Sequence, residues 1–143
     1  MKIVILAGGL GTRISELTKV IPKPMIKVAG KPIIHRIIDH FLHYGHKEFY
    51  IAIGYKGSLI KKYFEKCKFK KGVKVNCIFT GKNTMTGGRL KRLKKYLKST
   101  FIATYGDGLS NVSIKKLIQF HNKKKKMVTV TAVRPPARFG AIK

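Results

Sequence analysis

The sequence predicts an α/β fold, with a mostly parallel sheet flanked by helices, and three observations support this prediction. Short apolar runs alternate along the chain with segments whose apolar residues recur at helical spacing. The first run, Lys2–Ala7, is apolar at every position after its lysine, which is typical of a strand buried on both faces. A glycine-rich turn follows this strand, and ligands of parallel sheets bind where strands end.

The predicted strands and helices alternate along the whole chain. Strands are predicted over the apolar runs Lys2–Ala7, Glu48–Ile53, Val73–Phe79, Phe101–Thr104 and Met127–Val133, with a short extended piece over Met25–Val28. Four helices are predicted. The first begins at Pro32 and is ended by Gly45, and the second follows a cap at Ser58. The third covers the basic segment Arg89–Leu97, and the fourth follows a cap at Asn111 or Ser113. Because strand–helix–strand connections favour parallel pairing, we expect the strand ends to meet at one edge of the sheet.

Length and composition indicate one domain or part of a larger one. The 143 residues are 44% hydrophobic, and no run approaches the roughly 20 apolar residues of a membrane span. We therefore expect a cytoplasmic protein with no membrane partner. Cys67 and Cys77 lack metal-ligand spacing, which indicates reduced structural thiols. Four of the five histidines lie on or beside the first predicted helix, and we interpret them as packing or surface residues: His35, His40, His43 and His46.

The charge of the chain is strongly unbalanced. It has 32 basic and 5 acidic residues, a formal net charge of +27, which ordinarily suggests a nucleic-acid partner. The lysines, however, are spread along the chain, and few aromatic residues lie among them in the pattern that base stacking requires. We interpret the charge as a lysine-rich surface and do not expect nucleic acid to be the main partner.

The segment Ile3–Met25 carries the most specific pattern in the chain. Its glycine-rich turn, Gly8–Arg13, matches neither the dinucleotide fingerprint nor the P-loop. Lys23, flanked by Pro22 and Pro24, follows ten residues after Arg13. Glycines let backbone amides approach a polyphosphate closely, and the arginine and lysine supply fixed positive charge. The pattern therefore predicts a grip on a nucleoside triphosphate, although the arginine could also cap a helix and the lysine could be solvated.

An acidic residue follows another predicted strand in a turn of two glycines. Asp107 lies between Gly106 and Gly108, in the segment Tyr105–Gly108 that follows the run Phe101–Thr104. Hard divalent cations prefer carboxylate ligands in accessible positions of this kind. Aspartate is also common in simple turns, so a structural role stays open.

The motifs together resemble one family. The pattern L-A-G-G-x-G-T-R followed by P-K-P-M is similar to that of the sugar-1-phosphate nucleotidyltransferases, which join a nucleoside triphosphate to a sugar 1-phosphate and release pyrophosphate. The segments GYKGSLIKKYF, MTGGRLKR, TYGDG and PPARFGA are similar to the cytidylyltransferase branch of this family, whose members use CTP and glucose 1-phosphate. The resemblance runs through essentially the whole chain and implies a Rossmann-like nucleotidyltransferase fold.

The resemblance also implies roles for particular residues. Arg13 and Lys23 would be the catalytic phosphate-binding residues, and Asp107 would be a ligand of Mg²⁺. The nucleotide would contact a larger set of residues: Leu6, Ala7, Gly8, Gly9, Leu10, Gly11, Thr12, Arg13, Lys23, Thr84, Arg89 and Gly106. The partners would be CTP and a sugar 1-phosphate, and full-length members would form homo-oligomers.

The resemblance is incomplete in two places. We expect residues 1–143 to hold the nucleotide-binding part of a nucleotidyltransferase domain, with the sugar-binding C-terminal part absent and activity impaired. The stretch between Phe69 and Gly81 is shorter than is usual for cytidylyltransferases. Two alternatives stay open: a related enzyme that uses dTTP or UTP, and a non-catalytic basic remnant that binds nucleotide or nucleic acid.

Overall fold

Four parallel strands form the central sheet of the protein in a computed structural model that describes residues 1–9 and 21–133. In chain order the described strands are β1 (Lys2–Ala7), β2 (Lys27–Val28), β3 (Lys31–Pro32), β4 (Glu48–Ile53), β5 (Lys74–Phe79) and β6 (Phe101–Tyr105). The sheet has the strand order β5-β4-β1-β6, while β2 and β3 form a separate antiparallel hairpin. The predicted parallel sheet is therefore confirmed.

Helices connect these strands. They are α1 (Ile33–His43), α2 (Gly57–Lys66), α3 (Thr86–Arg92) and α4 (Ile114–Lys124), with 3-10 turns at Lys23–Met25 and Lys94–Tyr96. Helix α1 buries four apolar residues at helical spacing: Ile34, Ile37, Ile38 and Phe41. Helix α2 contacts β4 and β5. Its first residue, Gly57, lies directly on Ile53, because a Cβ there would come within 2.7 Å of the Ile53 Cβ.

The two central strands are buried on both faces. Ile3, Val4 and Ile5 of β1 have no exposed surface, and the residues of β4 from Phe49 to Ile53 are buried as well. On one face Val4 packs with Tyr50, Ala52 and Leu93, and partly buried residues surround this cluster: Leu6, Ile78, Leu90, Tyr96, Leu97 and Phe101. The continuous apolar pattern of Lys2–Ala7 thus has the physical cause that the sequence predicts.

The chain divides into two units, Met1–Asn111 and Val112–Lys143. The first unit contains the sheet and helices α1 to α3. In the second unit, α4 begins after Ser113, whose hydroxyl oxygen accepts a hydrogen bond from the backbone N–H of Lys116 at 3.4 Å. The predicted cap at Asn111 or Ser113 is therefore confirmed at Ser113.

Three predicted elements differ from the structure. The strand predicted over Met127–Val133 is wrong: the segment is not a strand, and Met127, Val128, Val130 and Val133 are exposed. A strand forms only where its backbone pairs with a neighbour, and no described strand pairs with this segment. Ser58 does not cap α2, because the cap position is Lys56 in a left-handed conformation. The helix predicted over Arg89–Leu97 spans Thr86–Arg92 instead, and a separate 3-10 turn, Lys94–Tyr96, follows it.

Candidate functional site

The carboxyl ends of the four parallel strands lie side by side and bring several glycines together. Strand β1 leads into Gly8, β4 into Gly54, β5 into Gly81 and β6 into Gly106. Backbone hydrogen bonds extend past the strand ends, from Gly106 N to Leu6 O at 2.9 Å and from Tyr55 N to Gly8 O at 3.3 Å. At this edge of the sheet a glycine therefore follows each of the four strands, and the carboxyl edge is where parallel sheets bind ligands.

Close packing favours glycine at Gly106. A Cβ at this position would lie 3.2 Å from both the Ala7 Cβ and the Pro24 Cγ, and 3.3 Å from the Leu6 carbonyl oxygen. Gly106 therefore allows the 3-10 turn Lys23–Met25 to pack against the ends of β1 and β6. Lys23 is the first residue of this turn, and Asp107 directly follows Gly106.

Lys23 and Asp107 form an ion pair at this edge. The Lys23 Nζ lies 2.6 Å from Asp107 Oδ2, and the two side chains are 33% and 31% exposed. Lys23 belongs to the 3-10 turn and is flanked by Pro22 and Pro24, which are both buried. Because water reaches both charged groups, the pair contributes little to stability. It shows instead that an ammonium and a carboxylate, distant in sequence, meet at one point of the site.

Arg89 lies at the same edge with its guanidinium buried; the residue is 5% exposed. Its Nη2 donates to Gly8 O at 2.8 Å, and its Nη1 donates to Thr80 Oγ1 at 2.8 Å and Gly81 O at 2.9 Å. Longer contacts of 3.4 Å reach Ile53 O and Lys82 O. Burial, and to a lesser extent the neighbouring charge of Arg92, lower the pKa of Arg89 from its ordinary value.

Arg92 holds the loop that follows β5. Its Nη1 donates to Thr80 O at 2.6 Å and to Thr84 Oγ1 at 2.8 Å. Thr84 is half-buried, and its hydroxyl oxygen accepts this hydrogen bond from α3. The two arginines of α3 therefore fix the segment from Thr80 to Thr84 from one side.

The structure brings most of the described candidate residues to one edge. Gly8, Gly9, Gly106, Asp107 and Lys23 all lie at or beside the carboxyl ends of β1 and β6, directly after Leu6 and Ala7 of β1. Four candidates fall outside the described residues: Leu10, Gly11, Thr12 and Arg13. The roles that the resemblance implies for all these residues stay predictions.

Three residues of this edge were missed at the level of sequence: Gly54, Thr80 and Arg92. Gly54 and Thr80 each directly follow a predicted strand, and this position indicates that they lie at the carboxyl edge of the sheet. Arg92 gave no such signal, because it stands in a segment that contains several other cations.

Asp107 offers one carboxylate to a cation. Within residues 1–9 and 21–133, no cluster of three or more histidine, cysteine, aspartate or glutamate side chains is arranged to hold a metal ion. Mg²⁺ typically binds one or two carboxylates and completes its shell with water and substrate phosphates. The accessible Asp107 carboxylate fits an ion that arrives with a nucleotide, and does not fit a site made of protein ligands alone.

A family model described as "Nucleotidyl transferase" matches residues 2–143. The chain belongs to the nucleotidyl transferase family. It is 44% identical over 164 residues to a glucose-1-phosphate cytidylyltransferase of Salmonella typhimurium, covering 99% of this chain and 64% of the relative. It is 36% identical to a D-glycero-alpha-D-manno-heptose 1-phosphate guanylyltransferase of Campylobacter jejuni, covering 82% of this chain and 52% of the relative. The chain thus spans less than two thirds of the length of these relatives.

Solved structures of nucleotidyl transferases share the fold. HddC from Yersinia pseudotuberculosis complexed with GMP-PN matches with a TM-score of 0.72 and 32% identity, over 84% of this chain and 53% of that chain. A UDP-glucose pyrophosphorylase complexed with UDP-glucose has a TM-score of 0.71 at 18% identity, covers 87% of this chain and 54% of that chain, and supports the fold alone. The predicted Rossmann-like nucleotidyltransferase fold is confirmed. Among the described helices, none is long and apolar enough to span a membrane.

Proposed function

We propose that this chain forms the nucleotide-binding part of a glucose-1-phosphate cytidylyltransferase. The reaction would join CTP and α-D-glucose 1-phosphate to CDP-glucose and release pyrophosphate, in the cytoplasm. The observation that carries the proposal is the Lys23–Asp107 pair, 2.6 Å apart, at a glycine-lined edge of a parallel sheet. The 44% identity to a glucose-1-phosphate cytidylyltransferase supports the choice of CTP and glucose 1-phosphate.

The proposed site uses the residues that the sequence singled out. Leu6 through Arg13 wrap the nucleotide, with Gly8 and Gly9 presenting backbone amides to it. Arg13 and Lys23 neutralise phosphate charge. Thr84, Arg89 and Gly106 belong to the same nucleotide pocket, where Thr84 and Gly106 contact the nucleotide.

The chemistry needs charge neutralisation and positioning more than proton transfer. A phosphate oxygen of the sugar 1-phosphate forms a bond to the α-phosphorus of CTP, while the bond from that phosphorus to the β-phosphate oxygen breaks. The attacking oxygen is already anionic at neutral pH, so no general base is required. Lys23 would hold phosphate charge where it shifts during the reaction. Mg²⁺, held by Asp107 together with phosphate oxygens, would supply further charge neutralisation when bound.

Lys23 and Asp107 would exchange partners when the nucleotide binds. In the free protein the ammonium and the carboxylate neutralise each other at 2.6 Å. A nucleotide that arrives with its cation offers phosphate to Lys23 and the cation to Asp107. Both charges therefore keep a partner throughout binding, which lowers the desolvation cost of opening the pair.

A panel of nucleotides tests the proposal. The protein is titrated calorimetrically with CTP, dTTP, UTP and GTP, each with and without Mg²⁺, and then assayed with α-D-glucose 1-phosphate for release of pyrophosphate. We expect CTP to bind most tightly, only with the cation, and any turnover to yield CDP-glucose. Preference for dTTP or UTP would establish the related enzyme. Binding of DNA with a steep salt dependence, without binding of any nucleotide, would establish a non-catalytic remnant.

A guanine nucleotide is a second candidate. The chain is 36% identical to a heptose 1-phosphate guanylyltransferase and 32% identical to HddC, whose structure contains GMP-PN. The GTP titration in the same panel decides between the two, because only one of the two nucleotides should bind tightly.

A further inference from the structure

Arg89 is a buried cation whose described hydrogen-bond acceptors are all neutral. The residue is 5% exposed, and its guanidinium donates to backbone carbonyls and to one threonine hydroxyl, with no carboxylate in contact within the described part of the chain. Buried charges are normally paired with an opposite charge, since desolvation is costly. Within residues 1–9 and 21–133, the position of Arg89 is therefore explained by neutral acceptors and not by an ion pair.

The guanidinium joins the ends of three neighbouring strands. Gly8 follows β1, Ile53 ends β4, and Thr80 and Gly81 follow β5, and all four contact the two terminal nitrogens of Arg89. Thr80 has no exposed surface, and its hydroxyl donates onward to Ile53 O at 3.0 Å. A planar group with several donors can span these acceptors, which a single ammonium cannot.

Two glycines let the backbone approach the guanidinium. A Cβ at Gly8 would overlap the Arg89 guanidinium. A Cβ at Gly54 would lie 2.7 Å from Arg89 Nη1, and also 2.6 Å from Gly8 O and 2.8 Å from Gly81 O. At Gly8, the atoms that exclude a side chain belong to Arg89. At Gly54, backbone oxygens exclude a side chain together with Arg89.

We propose that Arg89 is a positioning residue that fixes Gly8, the first residue after β1, by holding it against the ends of β4 and β5. It acts on the nucleotide through Gly8, beside the direct contact that the family resemblance implies. This role in binding rests on the proposed function. The hydrogen bonds by which Arg89 joins the ends of β1, β4 and β5, called here the tie, do not depend on it. The short donor contacts to Gly8, Thr80 and Gly81 leave its terminal nitrogens engaged before any ligand arrives.

Hydrogen exchange of the protein without nucleotide tests the tie directly. Arg89→Ala removes three short charge-assisted hydrogen bonds, so amides in residues 8–9, 53–55 and 80–82 should exchange at least about 10-fold faster. Arg89→Lys keeps the charge but loses the fork of donors, and we expect it to resemble Arg89→Ala. Protection equal to that of the unchanged protein in Arg89→Lys would overturn the proposal, because charge alone would then suffice.

A double-mutant cycle tests whether Arg89 acts through Gly8. Gly8→Ala should speed exchange by displacing the guanidinium, and adding Gly8→Ala to Arg89→Ala or to Arg89→Lys should cause little further change. Gly54→Ala is the matched control, since its Cβ also meets two backbone oxygens, and its effect should persist when Arg89 is replaced. Additive effects of Gly8→Ala and Arg89→Ala would overturn the proposal.

Affinity for CTP with Mg²⁺ separates this proposal from the proposed function. We expect Arg89→Ala to weaken CTP binding, and added methylguanidinium to restore the affinity. In the protein without nucleotide, methylguanidinium should also restore the protection of the amides of residues 8–9 from hydrogen exchange. Weaker CTP binding with unchanged protection in the free protein would show that Arg89 acts by direct contact alone and would overturn the proposal. If the unchanged protein binds no nucleotide while the exchange cycle shows coupling, the proposed function fails and the tie stands.

Discussion

The ammonium group of Lys23 has one partner in the free protein and another in the proposed nucleotide complex. In the free protein it pairs with Asp107 at 2.6 Å, and in the proposed complex it holds phosphate. The flanking prolines restrict the backbone here, so the exchange requires movement of the side chain alone. Lys23 should therefore compete with a cation for Asp107 whenever no nucleotide is present.

Replacing Lys23 should change how the free protein binds a divalent cation. In Lys23→Met the Asp107 carboxylate loses its neutralising partner, so Mn²⁺ alone should bind about threefold more tightly, as expected for a partly exposed pair. Titration of Mn²⁺ by electron paramagnetic resonance measures this affinity without nucleotide. Binding of CTP with Mg²⁺ should weaken in the same variant, because phosphate loses its ammonium.

Lys27→Met is the matched control, because Lys27 is an exposed lysine of the same segment. It removes one positive charge from the protein without touching Asp107. An equal gain in Mn²⁺ affinity in both variants, or no gain in Lys23→Met, would show that Lys23 does not mask the carboxylate.

Residue types at the site could be predicted from sequence, but their partners could not. Lys23 and Asp107 each stand out through their neighbours, since prolines flank one and glycines flank the other. Their contact depends on the packing of the 3-10 turn against β6, which no local pattern shows. Arg89 shows the limit more clearly. Its sequence context is a basic helix, and only the structure reveals that it joins three strand ends.

At the scale of elements, His35 connects the two helices α1 and α2. Its Nδ1 lies 2.7 Å from the Tyr63 hydroxyl, and its ring stacks near Phe64 and Phe69. Burial lowers the pKa of His35 from 6.5, and the positive charges of Lys31 and Arg36 act in the same direction. Asp39 opposes them, with its Oδ1 3.5 Å from His35 Nε2. The Cys67 thiol also lies nearby, at 3.9 Å from Nδ1.

The lowered pKa of His35 predicts that acidification weakens the protein. The unfolded chain takes up a proton near pH 6.5, whereas the folded protein does so only at lower pH. The free energy of unfolding should therefore be fully present above pH 6.5 and fall as the pH drops through the folded pKa. Urea unfolding at pH 7.5 and 5.5 measures this loss. Burial also lowers the pKa of His46, so both histidines contribute in the same direction.

Variants separate the histidines from other causes. His35→Gln should lose part of the pH dependence, and adding His46→Gln should lose more. His43→Gln, at an exposed position of α1, should keep the full dependence. A pH dependence that is the same in all of these variants would contradict the assignment to His35 and His46.

Elements with a strong internal pattern were predictable, and those that depend on a partner were not. The strands β1 and β4 match their predicted bounds, because a strand that is buried on both faces requires a continuous run of apolar residues. Met127–Val133 is also rich in apolar and β-branched residues but forms no strand, because pairing with a neighbour decides whether a strand exists. The predicted cap, Ser58, lies two residues after the actual cap position, which is the left-handed Lys56.

At the scale of the molecule, positive charge dominates. Four of the five acidic residues are described, and each pairs with a basic side chain: Asp39, Glu48, Glu65 and Asp107. The remaining net charge of +27 favours any polyanion near the surface. Charge alone therefore cannot give specificity. In the proposed function, specificity for a nucleotide would come from the shape of the carboxyl edge, where glycines, Lys23 and Asp107 meet.

The most direct measurement is a crystal structure of the protein grown with CTP and Mg²⁺. The account predicts a triphosphate along the turn after β1, with the Lys23 Nζ turned from Asp107 to a phosphate oxygen and the Asp107 carboxylate on the cation. A nucleotide bound elsewhere, or a Lys23–Asp107 pair still closed at 2.6 Å beside a bound nucleotide, would contradict it.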